Sequence, residues 1–177
     1  TAICGGQSNL AESDLATVGG GYDNIAGGGD YPGDTVAGGW SNDATGGYAF
    51  VGGGSYNEAT GYVSTIGGGG SNVASQQYAA ICGGYDNTAS GYNSAVGGGE
   101  FNVASGDDSF AAGGQSNTAA GDWSFAAGRR AKANSQGCFV WADSTAADMT
   151  CSVTNRVVMR GSGGFAFYTN SAMNVGA

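Results

Sequence analysis

Gly68-Gly69-Gly70-Ser71-Asn72-Val73-Ala74 is one copy of a unit that recurs from Ile3 to about Ala133. Its Asn returns as Asn9, Asn24, Asn42, Asn57, Asn72, Asn87, Asn102 and Asn117, at intervals of 15 residues except for one of 18 after Asn24. In all eight units the residues four and three before the Asn are both Gly, and the residue two after it is Ala. A short strict period is the signature of a stacked, quasi-one-dimensional architecture.

The rest of the unit reads as two short strands and two corners. Nine residues after most Asn stands a β-branched residue, among them Val18, Val51, Ile66, Ile81 and Val96, with Val36 in the longer unit. Such residues favour strand. Four residues after the Asn comes Gly in six of eight units. The corners call for Gly because positive φ is costly for other residues, and the Asn beside them suits αL or a turn cap. Fifteen residues at about 3.3 Å each make a coil only about 50 Å around, so the interior holds Ala, Val and Ile and little else. The expected fold is all-β: a parallel β-roll of about nine coils over residues 1–133, followed by a C-terminal β end piece over 134–177. In that end piece Arg156–Arg160 and Phe165–Tyr168 read as a hairpin or sheet end piece that caps the open edge.

Composition narrows the function classes. Gly is 37 of 177 residues and Pro is 1, which excludes collagen, and the 11% aromatic content argues against plain disorder. There is no His, so a Ser or Cys nucleophile lacks its usual base. No Lys or Arg occurs from Thr1 to Gly128, whereas twelve acids lie between Glu12 and Asp122. Such a rod repels nucleic acid and anionic lipid. No apolar run reaches the length of a membrane span. The Gly strings are followed by no Gly-Lys-Ser/Thr and open no helix, so they are not phosphate loops. Asp precedes the Asn only as Asp23 and Asp86, which argues against a calcium ladder. No catalytic residue, cofactor or metal is expected. Thr1 falls inside a repeat, so the sequence reads as a trimmed product or as part of a longer chain.

A thin roll buries little, so some of its aromatics are expected at a subunit interface, most simply a threefold one. The 18-residue unit carries a protruding loop around Asp30, Tyr31 and Asp34, a candidate contact site because binding residues concentrate in loops on rigid scaffolds. Trp40 and Trp123 join Tyr31 as candidate sugar-stacking residues. Cys4 and Cys82 share one column five coils apart and cannot pair within a chain. Cys138 and Cys151 are a candidate disulfide suited to an oxidising compartment.

The stretch Ser109-Phe110-Ala111-Ala112-Gly113 and the run from Asn117 to Gly128 resemble the head repeats of YadA-like trimeric autotransporter adhesins, repeats also found in phage tail-fibre-like proteins. GRRAKANSQGCFVWADS (128–144) and NRVVMRGSGGFAFYT (155–169) look closer still to the tail-fibre proteins, where this stretch often precedes a self-cleaving chaperone domain. The resemblance implies a left-handed parallel β-roll, a homotrimer, and a place outside the cell or on a virion. It implies no particular ligand. The chain departs from the adhesin head in using fifteen residues per coil instead of fourteen. Expected partners are further copies of the chain, as a trimer and in head-to-tail filaments that join an acidic end to a basic one. A cell-surface glycan or matrix protein is the other expectation.

Overall fold

The structure, a computed structural model, describes residues 1–28 and 31–166. They form a β-solenoid of about ten turns, with no helix. Two parallel sheets run its length, one of eleven strands and one of ten. Most strands are two residues long and pair with the strand one unit away, as Val73–Ala74 does with Glu58–Ala59 on one side and Thr88–Ala89 on the other. The strands are short because the chain turns a corner after each.

The core is two facing columns. The Ala two residues after each Asn supplies one, and Val18, Val36, Val51, Ile66, Ile81 and Val96 supply the other; from Val18 to Ala104 both columns are at most 1% exposed. Ile3 belongs to the second column by spacing and is 48% exposed in the first described coil.

Glycine plays the expected positive-φ part at the first corner and a different one at the second. Gly61, four residues after Asn57, does not have positive φ; a Cβ there would stand 2.1 Å from the Gln76 carbonyl oxygen of the next coil. Gly69 has φ +97 and faces the Gly84 oxygen at 2.1 Å. Close stacking of backbone on backbone thus selects Gly at both corners. Much of the left-handed conformation falls on larger residues, at the position before the Asn (Ser71, φ 55; Phe101, φ 57) and six after it (Val63, φ 55; Tyr78, φ 59; Trp123, φ 53).

The solenoid continues beyond residue 133. Phe139–Ala142 pairs in parallel with Phe125–Arg129, and Met149–Cys151 pairs with Ala131–Ala133. Val157–Arg160 pairs in parallel with Phe139–Ala142, so it extends the roll and is not the arm of a hairpin. The sequence period is lost there because the step lengthens: Phe125 pairs with Phe139, fourteen residues on, but Val140 pairs with Val158, eighteen on. Of the expected second arm, Phe167 and Tyr168 lie outside the described residues. Cys138 and Cys151 are joined, with Cα atoms 6.1 Å apart, and both are buried. They tie the interiors of two successive coils together.

Candidate interaction surfaces

The repeating Asn is structural. Asn72 is fully buried; its Nδ2 donates to Asn57 Oδ1 at 3.0 Å, to Gly68 O at 3.1 Å and to Gly84 O at 3.0 Å. Its Oδ1 accepts from the backbone N–H and the Nδ2 of Asn87, both at 3.1 Å. The same pattern links Asn9 to Asn117, and Ala131 N–H closes the series on Asn117 Oδ1. Every buried polar atom of these side chains is engaged, so the ladder offers nothing to a ligand.

The candidate loop divides. Asp30 lies outside the described residues. Tyr31 is 56% exposed and packs edge-on against Tyr62, with ring centroids 5.0 Å apart. Asp34 is not on the surface; it is fully buried. The three extra residues precede it, so it falls in the interior position that Ala16 and Ala49 occupy in neighbouring coils. Its Oδ1 accepts N–H groups from Gly47 at 2.9 Å and Ala49 at 2.8 Å, while Oδ2 has no partner. Burial pushes its carboxyl above the usual range, against the pull of the Ala49 and Gly47 amides. Asp43 is also raised, first by burial, with the like charges of Glu58 and Asp34 adding to it. Glu58 faces it in the next strand of the ten-stranded sheet.

The aromatic candidates stand at the corners. Trp40 sits between Tyr22, at 5.7 Å, and Tyr56, at 6.4 Å. Trp123 is 61% exposed and has no aromatic neighbour among the described residues. The rings at the second corner meet edge-to-face, so they form a ridge of packed edges and not a flat platform.

Two features escaped the sequence reading. The first is a shallow cleft of about 230 Å³ lined by Gly128, Arg129, Trp141, Ala142, Asp143 and Ser144. Its polar groups are largely engaged within the chain: Arg129 donates to Ser144 O, and Arg160 and the Ser162 and Thr145 amides hold the Asp143 carboxyl well below the usual range. The local loss of period hid it. The second feature is the outward face of the eleven-stranded sheet. On either side of its buried core column, from Ala2 to Met159, the outward positions hold no Asp, Glu, Lys or Arg. Phe50, Phe110, Trp141, Val157 and Met159 are each at least 39% exposed there. The outward face of the ten-stranded sheet, in contrast, carries Glu12, Asp43, Glu58 and Lys132. A scan for alternation finds the inward column of each sheet; only the pairing shows that the uncharged outward columns are continuous.

Cys4 and Cys82 are free and exposed, as their column requires. Among the described residues no helix is long and apolar enough to cross a membrane, and no group of three or more acids, His or Cys is placed to hold a metal ion. No family model and no curated protein matches the chain.

Proposed function

We propose that this chain is a non-enzymatic structural rod of an extracellular fibre or adhesin head, on a bacterial surface or a virion, which works as a homotrimer. The observation that carries this reading is the uncharged outward face of the eleven-stranded sheet. Eleven strands at about 4.8 Å make it about 50 Å long. A continuous exposed face without charge marks an interaction surface, and the depletion of charge is what distinguishes the centre of an interface. The buried disulfide supports an oxidising compartment. Three copies packed through this face would present the acidic corners outward and hold them at a distance from whatever anchors the rod.

Mass in solution tests the assembly. The chain is expected to be trimeric at micromolar concentration. Thr65→Glu with Ala95→Glu, which place charges on the uncharged face, are expected to yield monomers, and Thr88→Glu on the opposite sheet is not. A stable wild-type monomer overturns the reading.

The second reading, a glycan-binding segment of a tail fibre, is favoured by Trp123, an exposed indole held in the left-handed region and free of aromatic packing among the described residues. A glycan array separates the two: hits that Trp123→Ala abolishes support it, and hits that survive do not.

A further inference from the structure

Five tyrosines line the second corner in consecutive contact. Ring centroids of Tyr31 and Tyr62 are 5.0 Å apart, Tyr48 and Tyr62 6.0 Å, Tyr62 and Tyr78 6.4 Å, and Tyr78 and Tyr92 5.8 Å. Tyr31, Tyr48, Tyr78 and Tyr92 are 41–56% exposed. The first corner differs: Tyr22 and Tyr56 both pack on Trp40, and Tyr85 packs on Phe101, so no tyrosine there touches another. The contrast is one of residue type on two equivalent corners of the same rod.

We propose that the second-corner column is a site of oxidative tyrosine coupling that staples coils together along the rod. The oxidant is a peroxide acting through a haem peroxidase. Each of two phenols gives up one electron and one proton, and the two phenoxyl radicals join through their ortho carbons. Each ring then returns to a phenol as the ortho carbon at the new bond gives up its hydrogen as a proton and the ring oxygen takes a proton back. One peroxide takes the two electrons and two protons and leaves as two waters. Adjacency makes the second partner intramolecular and its effective concentration high. Exposed rings turn on the ps–ns timescale, which lets edge-to-face neighbours bring their ortho carbons together. Only the source of oxidant rests on the extracellular reading, and the experiment supplies that oxidant.

The test treats the dilute full-length chain with hydrogen peroxide and a haem peroxidase, reads dityrosine fluorescence, and maps linked peptides. Cleavage at Asp and Glu is used, because no Lys or Arg precedes Arg129. Links joining Tyr31 to Tyr62, Tyr48 to Tyr62, Tyr62 to Tyr78 and Tyr78 to Tyr92 within one chain are expected. Tyr62→Phe with Tyr78→Phe is expected to remove these links, whereas Tyr22→Phe with Tyr85→Phe leaves the fluorescence unchanged. The proposal is overturned if the wild-type map shows no intrachain link, links only between molecules, or first-corner tyrosines linked as often as second-corner ones.

Discussion

Asn72 shows how much one side chain carries when it is repeated. Replacing it with Ala keeps the backbone N–H that donates to Asn57, but takes away the acceptor of the buried Asn87 N–H and the side-chain donor to Gly68 O. A stranded buried amide, an unpaired carbonyl and a small void together cost about 3–5 kcal/mol. Asn72→Ala is therefore expected to lower the thermal midpoint sharply, and Asn9→Ala to do so much less, because solvent reaches that end of the ladder. Chemical denaturation of the two variants side by side checks the ranking; equal losses would mean the ladder is not cooperative.

Asp34 predicts a pH dependence of definite sign. Its folded-state carboxyl is raised by burial, so the folded chain keeps a proton that the unfolded chain releases near pH 4. The stability this contributes is full below that pH and is lost as pH rises through the raised folded value. Melting curves from pH 4 upward are expected to show the decline, and Asp34→Asn to flatten it in part, since Asp43 still titrates. A wild type whose stability rises over that interval would refute the assignment.

At the scale of the strand, the sequence was legible where the period held and misleading where it did not. The Gly, Asn and Ala columns announced a coil, and the β-branched column announced its core; both hold from Val18 to Ala104. The reason for Gly61 was not legible, because nothing in one unit shows that the next coil's carbonyl lies against it. From sequence alone Asp34 reads as a loop residue, because an insertion disguises which residue resumes the column. The stretch after Ala133 reads as a cap because its step lengthens from fourteen residues to eighteen, although the strands still pair in parallel. The disulfide bridges these uneven steps. Its reduction is expected to loosen the last coils first, seen as faster amide hydrogen exchange at Phe139–Ala142 and Met149–Cys151 while Val51 and Ile66 stay protected. Uniform loss of protection would contradict a local role.

At the scale of the whole molecule, the two sheets have unequal tasks. Both bury one column inward, but one turns an uncharged face outward and the other a charged one. A monomer would leave the first face in water over its full length, and the proposed trimer rests on this asymmetry. Because the backbone of each coil bonds only to its neighbours, stability accumulates coil by coil.

The direction of the hydrogen bonds has a mechanical consequence. They run along the rod, while the covalent chain runs around it. Traction on the two termini therefore peels an end coil from the one beneath it, instead of shearing many bonds at once. Each event should pay out one coil, about 50 Å of extended chain, at a modest force, and the record should be a train of similar small teeth. Near the carboxyl end the train should fall short, because the linked Cys138 and Cys151 withhold the chain between them until the bond is reduced.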